Sequence, residues 1–430
     1  TTGPDSSRKE ILFLTYLEHI NSKNEKIFRI EEIIVHLKKE NKVEPLILCA
    51  SSQSQPFFSF IRQKSSIKRD DLSLIYNHIT PEIKIKSEGL AREVSSRFVA
   101  LRGDIEKMFE GGLWEVLRGF FDFYFSKEFL YSLAVYYETS KSIIITSGIK
   151  AVMITSQNSI FERCLNAAAH KLRCPVVLLQ HGAAMGSINP ELLQPYVLAV
   201  FSEKYKQALQ HQKVPAKNIE IVGPIIFDEI YPFMGKETSK SDTLNILILT
   251  VPFVEQDIFT LQKYFSLMEK IIRESTAIPN SRITLKLHPR EKYRSDYEKL
   301  IRRLNLSKVI VIQNDQREFL YRLMCTSDII INFSSTVAVE AMILDKAIIT
   351  IIFPDFKNPF NEIITSSKAT VEVPIRENLA KAIQNLLLNT LLQKSLCRNR
   401  TKFVREYCGR IDGKSFQRVI QLLQKLVEEN

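Results

Sequence analysis

The sequence predicts an α/β protein of two domains, each a parallel sheet covered by helices. Three observations carry this expectation. The chain has 430 residues, more than one ordinary core holds and suited to two units of about 200 residues each. Strand-length apolar runs alternate with longer amphipathic stretches, as they do where parallel strands are buried on both faces. The alternation then breaks and restarts near residue 244. Between the two series lie Gly223-Pro224, Tyr231-Pro232 and the polar stretch 235–243, which read as a linker.

Taken in order, the strands expected of the first half are 11–16, 45–50, 142–146, 151–155, 176–180, 198–201 and 219–222. Those of the second are 245–250, 282–287, 308–312, 328–332 and 347–352. Each is a short run rich in Ile, Val and Leu. Residues 1–230 make an N-terminal Rossmann-like domain, and residues 244–408 a C-terminal one. Residues 409–430 include an amphipathic helix with no strand after it, expected to pack back across the junction. The stretch at about 87–140 reads as a helical insertion crowded with aromatics, among them Phe98, Trp114, Phe120, Phe121, Phe123 and Tyr124. Helix core explains them most simply. A greasy face for a lipid-linked or polymeric acceptor, or for a membrane surface, is the alternative.

Composition narrows the partners. Hydrophobic residues at 45% and charged residues at 25% exclude a disordered chain. No apolar run approaches the roughly 18 residues that span a bilayer. The first ten residues are polar, without a signal peptide's apolar stretch or an initiator Met, and read as the trimmed edge of a longer chain. Six cysteines lie scattered without a CxxC pair, which suits a reduced, cytoplasmic protein and no metal site. The net charge is +11, and it is uneven: residues 1–230 carry 29 Lys+Arg against 26 Asp+Glu, residues 231–430 carry 30 against 22. The second half is the better place for an anionic ligand, and peripheral contact with an anionic membrane is compatible with the surplus. No RNP motif, zinc finger or arginine-rich arm occurs, so nucleic acid is not an expected partner.

Candidate chemistry gathers at strand ends, where ligands of such sheets bind. His288 and Pro289 follow the strand 282–287, with a helix expected from Glu291, so that Pro289 would open it. An imidazole there can donate to a phosphate oxygen. Lys286, two positions earlier, points to the same face of the strand. After the strand 328–332 come Phe333-Ser334-Ser335-Thr336 and an apolar helix. Hydroxyls and free N–H groups at a helix start favour an anion. Glu340, one turn deeper, would repel a phosphate but accept hydrogen bonds from ribose hydroxyls. A plain N-cap and a surface carboxylate are the bland alternative for this segment. In the first half, His181 and Gly182 follow the strand 176–180, and Glu18 and His19 follow the strand 11–16. His181, Glu18 and Glu162 are candidate general bases. No GxGxxG, Walker loop, GxSxG or HExxH occurs, which argues against NAD enzymes, NTPases, serine hydrolases and zincins.

These pieces together resemble bacterial GT-B glycosyltransferases of surface-polysaccharide assembly. Lys286-Leu287-His288-Pro289 is similar to the HP motif of bacterial sialyltransferases and Kdo transferases, and Ser334-Ser335 to their serine pair. Gln180-His181-Gly182 and Gly223-Pro224-Ile225-Ile226-Phe227-Asp228 resemble signatures of capsule-synthesis proteins and, more loosely, of CDP-glycerol glycerophosphotransferases. The resemblance covers residues 150–350. The acidic motif that supplies the base in many bacterial sialyltransferases is missing. The resemblance implies a GT-B fold and an inverting, metal-independent transferase without a resident cofactor. Its C-terminal domain would bind a nucleotide-sugar, CMP favoured over UDP, through Lys286, His288, Pro289, Ser334, Ser335, Thr336 and Glu340. Its N-terminal domain would bind a glycan or lipid-linked acceptor near His19 and Gly182, at the inner face of the cell membrane. Three other functions fit the same motifs: a CDP-polyol phosphotransferase, an enzyme like the UDP-sugar 2-epimerases, and a non-catalytic assembly scaffold.

Overall fold

The computed structural model describes residues 9–430 except 17–19, 21–25, 28–29, 41–42, 51–68, 110–111, 158, 181–195, 237–241, 334 and 354–358. Two parallel sheets organise it. The first holds β1 (Ile11–Tyr16), β2 (Leu46–Ala50), β3 (Leu72–Leu74), β4 (Ala151–Ile154), β5 (Val176–Leu179), β6 (Tyr196–Val200) and β7 (Ile219–Ile221), in the order β3-β2-β1-β4-β5-β6-β7. The second holds β8 (Leu244–Leu249), β9 (Ser281–Leu287), β10 (Val309–Gln313), β11 (Ile329–Asn332), β12 (Ala347–Ile352) and β13 (Val371–Pro374), in the order β10-β9-β8-β11-β12-β13. Both orders start at a central strand, run outward one way and then return to the other side. A crevice forms at such a reversal.

The helices of the first half are α1 (Glu31–Glu40), α2 (Pro81–Lys107), α3 (Leu113–Tyr124), α4 (Lys127–Thr146), α5 (Ile160–Lys171) and α6 (Glu203–His211). Those of the second are α7 (Leu261–Thr276), α8 (Arg294–Arg303), α9 (Arg317–Cys325), α10 (Val337–Ile343), α11 (Pro359–Ser366), α12 (Leu379–Leu388) and α13 (Thr390–Phe403). The chain ends in α14 (Ser415–Glu428). Strand residues alternate between two apolar layers, as period two requires. In β1, Leu12 and Leu14 face a core with Phe161 and Leu165 of α5, whereas Ile11 and Phe13 face α1 and α14.

Three sequence expectations are corrected. Residues 142–146 form the last turns of α4, not a strand. Their Ile143-Ile144-Ile145 run has strand propensity, but the buried positions Val135, Glu138, Thr139, Ile143 and Ile144 keep a helical period to its end. The edge strands β3 and β13 are absent from the expected series because Leu72-Ser73-Leu74 and Val371-Glu372-Val373-Pro374 are partly exposed and interrupted by polar residues, and so leave no apolar run. Pro289 does not open a helix: His288–Glu291 is a turn closed by Glu291 N–H donating to His288 O at 3.0 Å, and α8 begins at Arg294. Proline at the second position of a turn presets the φ that position needs.

The aromatics of the helical stretch divide. Trp114 and Phe98 are buried, and Phe98 stacks on Phe125 with ring centroids 4.4 Å apart. Phe120, Phe123 and Tyr124 stand on the opposite side of α3, Phe120 being 61% exposed.

A C-terminal strap ties the two halves together. After α13, the carbonyl of Glu406 accepts from Ser202 Oγ at 2.6 Å, and the Glu406 carboxylate pairs with Lys204. Gly409 comes next at φ +70°, where a Cβ would meet Phe201 O at 2.6 Å. α14 then buries Val419, Ile420, Leu422 and Leu423 against the α1 side of the first sheet. The Gly223–Asp228 segment receives the start of α14. Arg418 Nε donates to Val222 O at 2.6 Å, and Asp228 accepts from Phe416 N–H at 3.0 Å.

Candidate functional site

The strongest constellation lies at the C-terminal edge of the second sheet. The register pairs Leu249 of β8 with Lys286 of β9, and Ile248 with Ile331 of β11. Lys286, Leu249 and Asn332 therefore stand close to one level, at or one residue before the ends of their strands. The loops beginning at His288 and Phe333 flank the end of β8, two strand spacings apart, or about 10 Å.

His288 is held on three sides. Its backbone N–H donates to Thr250 Oγ1 and to Glu291 Oε2, each at 2.9 Å. Its Nδ1 accepts from Arg290 N–H at 3.1 Å. A nitrogen that accepts carries no proton, so the neutral ring has its proton on Nε2. Burial, then the nearby charges of Arg290 and Lys286, push the imidazole down to about 4. At neutral pH the unliganded site thus presents an uncharged Nε2–H donor.

Beneath the turn lies a buried polar cluster that the sequence did not disclose. Glu291 accepts from Tyr264 Oη at 3.1 Å and from Tyr297 Oη at 3.2 Å, and Thr250 Oγ1 also bonds to it. Burial raises its carboxyl above the ordinary range. Gln313 Nε2 donates to Glu291 O at 2.7 Å, fastening the turn to β10. The legible signal was the spacing His-Pro-x-Glu; that two tyrosines would converge on it was not.

Lys286 is buried, its Nζ donating to Leu287 O at 3.3 Å, and burial lowers its pKa against the pull of Glu340, Glu291 and Asp315. Ser335 is half-buried and Thr336 exposed. Thr336 has helical backbone angles and makes no side-chain cap, so its hydroxyl is not consumed by α10. That helix has seven residues, so local N–H and hydroxyl donors, not a long helix dipole, are what this corner offers. Asn332 anchors it, its Nδ2 donating to Thr350 Oγ1 at 3.1 Å.

Glu340 is neither a surface nor a capping residue. It is 5% exposed, and its Oε1 accepts from Arg317 Nη2 while its Oε2 is buried without a partner. Burial raises its carboxyl, opposed by Arg317.

In the first half, Glu162 closes a capping box at the start of α5. It accepts from Ser159 N–H at 3.0 Å, and its own N–H donates to Ser159 Oγ at 3.2 Å. Glu162 is 1% exposed, its Oε1 has no partner, and burial raises its carboxyl. Tyr16, the last residue of β1, shares a hydrogen bond of 2.6 Å with Ser159 Oγ. Gln180 has a structural task, its Oε1 accepting from Phe201 N–H at 2.9 Å. Glu18, His19, His181, Gly182 and Ser334 lie outside the described residues. Among the described residues, no group of three or more His, Cys, Asp or Glu is placed to hold a metal ion.

Solved structures of the same architecture match nearly the whole chain. MnaA of S. aureus, in a co-structure with UDP, has a TM-score of 0.55 at 11% identity and covers 97% of this chain and 96% of its own. MurG of Acinetobacter baumannii has a TM-score of 0.54 at 12% identity, covering 97% and 99%. A UDP-GlcNAc 2-epimerase of Neisseria meningitidis, bound to UDP-GlcNAc, has a TM-score of 0.52 at 13% identity, covering 96% and 99%. At such identities the likeness speaks for the fold alone. No curated protein matches the sequence. The fold is GT-B, two Rossmann-like sheets in one chain. The sequence profile of the alpha-2,8-polysialyltransferases (POLYST) matches residues 9–321, and the chain belongs to that family. It is a glycosyltransferase.

Proposed function

We propose that this glycosyltransferase moves sialic acid from a CMP-activated donor to a hydroxyl of a glycan or lipid-linked acceptor, with inversion and without a metal. The observation that carries the reading is His288, whose Nε2–H is preset at the strand edge by the Arg290 N–H on its other nitrogen. Membership of the polysialyltransferase family supports sialic acid as the sugar.

In this reaction a base takes the proton of the acceptor hydroxyl and the oxygen attacks the anomeric carbon. The bond to CMP breaks with its electron pair staying on the phosphate. The charge gathering there is met by His288 Nε2–H, by the Lys286 ammonium, and by the Ser334, Ser335 and Thr336 hydroxyls. A donor already in place, as His288 Nε2–H is, costs no reorganisation when the charge develops. Glu340 takes the ribose. Glu162 is the base best supported among the candidates Glu18, Glu162 and His181. A buried carboxylate of raised pKa with one unpartnered oxygen is suited to hold a proton.

We place the enzyme at the cytoplasmic face of a membrane, touching it peripherally. Among the described residues no helix is long and apolar enough to cross a bilayer. The exposed Phe120, Phe123 and Tyr124 of α3 and the net charge of +11 support contact with an anionic surface.

The test is a thermal-shift panel with CMP, CDP, UDP and GDP, followed by product analysis with CMP-sialic acid. CMP is expected to stabilise most, and a sialylated product with inverted configuration to form. Stabilisation by UDP alone with epimerised sugar as product, or transfer of a polyol phosphate, would overturn the reading.

A further inference from the structure

We propose that Arg317 is the positioning residue of the ribose subsite: by occupying Glu340 Oε1 it leaves Oε2 as the one acceptor, so that a single ribose hydroxyl of the donor nucleotide is read. The proposal rests on the reading, under Proposed function, that the donor's ribose meets Glu340.

Glu340 lies in the first turn of α10 and is 5% exposed. A carboxylate that deep has no water to complete its hydrogen bonds, and an unmet buried acceptor is costly. Here the cost is divided unevenly. Arg317 satisfies Oε1, and Oε2 has nothing. A carboxylate oxygen repels a phosphate but accepts readily from a hydroxyl. The orphaned oxygen therefore selects the uncharged, donor-bearing part of a nucleotide.

Arg317 is itself fixed. It opens α9, directly after the loop at the end of β10. Its Nε donates to Tyr321 Oη at 2.9 Å and lies 4.0 Å from the carboxylate of Glu229. Glu229 belongs to the 3-10 segment Ile225–Phe233 that leads from one half to the other, and Phe233 of that segment packs on the Tyr321 ring with centroids 5.6 Å apart. The guanidinium so braced keeps Glu340 Oε1 occupied and fixes the plane of the carboxylate. Without that brace Oε1 is free to accept as well, so each hydroxyl of the ribose finds an acceptor and the two are no longer distinguished.

The experiment is calorimetric titration of CMP, 2′-deoxy-CMP and 3′-deoxy-CMP into the full chain, its Glu340→Gln variant and the variants Arg317→Met and Arg317→Lys. UMP and its deoxy forms replace the set if UMP binds and CMP does not. In the wild type, removal of one hydroxyl should weaken binding about tenfold or more, the scale of a hydrogen bond to a charged group, and removal of the other by less than about twofold. In Arg317→Met and in Glu340→Gln that discrimination should fall to near one. A merely structural arginine would lower all three affinities in parallel and keep the ratio, which would overturn the proposal. Equal losses for both deoxy nucleotides in the wild type, or no loss for either, would overturn it as well while leaving the nucleotide site standing. Failure of CMP and UMP alike to bind would remove the site reading and this proposal together. Should Arg317→Met not fold, Arg317→Lys decides. It keeps the charge but not the planar fork, so a reduced ratio supports the proposal and an unchanged ratio defeats it.

Discussion

In the proposed reaction His288 and Glu162 have different roles, and their variants should fail differently. Replacing His288 with Ala removes one preset donor from the leaving phosphate. It should weaken nucleotide binding and slow turnover about a hundredfold, corresponding to about 3 kcal/mol. Glu162→Gln should leave nucleotide affinity close to that of the wild type and reduce turnover by about a hundredfold or more. Titrations and initial rates on the three proteins check both, and near-normal turnover in Glu162→Gln would move the base to His181 or Glu18. His288 also has a pH signature. Its folded pKa of about 4 lies below the ordinary 6.5. Between those values the unfolded chain binds a proton that the folded chain refuses, so stability falls as pH drops through that window. Urea unfolding across that range should show a shallower decline for His288→Asn than for the wild type; equal slopes would mean that the ring is not held neutral.

The turns and helix starts explain why these residues stand where they do. The spacing His288-Pro289 is readable in the chain, but the conformation of the next residues is not: a turn fastened by Glu291 replaces the expected helix start. A turn and a first helical turn share the proline preference, so local sequence cannot separate them. The run at 142–146 failed for the opposite reason, since packing of α4 outweighed the propensity of three isoleucines. The Gly223–Asp228 segment reads as a linker in sequence and as a socket in the fold. At Gly223, φ is +84° and a Cβ would stand 2.6 Å from Arg418 Nη2 and 2.7 Å from Ser415 Oγ. Gly223→Ala should therefore destabilise by about 1–3 kcal/mol and loosen α14. Chemical denaturation together with limited proteolysis near residue 415 reads both effects, and unchanged stability would show that the contact yields freely.

For the whole enzyme, the donor chemistry and the exposed face of α3 each set an outcome. The proposed phosphate contacts are imidazole, ammonium and hydroxyl groups, so transfer should persist in excess EDTA. Complete loss restored by manganese would refute metal independence. Peripheral membrane contact through α3 should appear as flotation with anionic vesicles, reduced in Phe120→Ser/Phe123→Ser and weakened by salt. No flotation at any salt would leave that helix as an ordinary exposed face.

The α/β class, most strands of the two series and the strand-end placement of His288, Ser335 and Glu340 were legible in the chain, because buried parallel strands and the residues that follow them leave periodic, local marks. Folding settled matters of another kind. It brought Tyr264, Tyr297 and Thr250 onto Glu291, set Arg317 against Glu340, and returned α14 to the first sheet. These partners come from separate segments of the chain, and hydrogen bonds and ion pairs between such segments leave no period or spacing to read. Only chain crossings and strand register bring them together. The proton on His288 Nε2 shows the same limit at short range: the residue is visible in the sequence, but which nitrogen carries the proton depends on the turn conformation that brings the Arg290 N–H onto Nδ1.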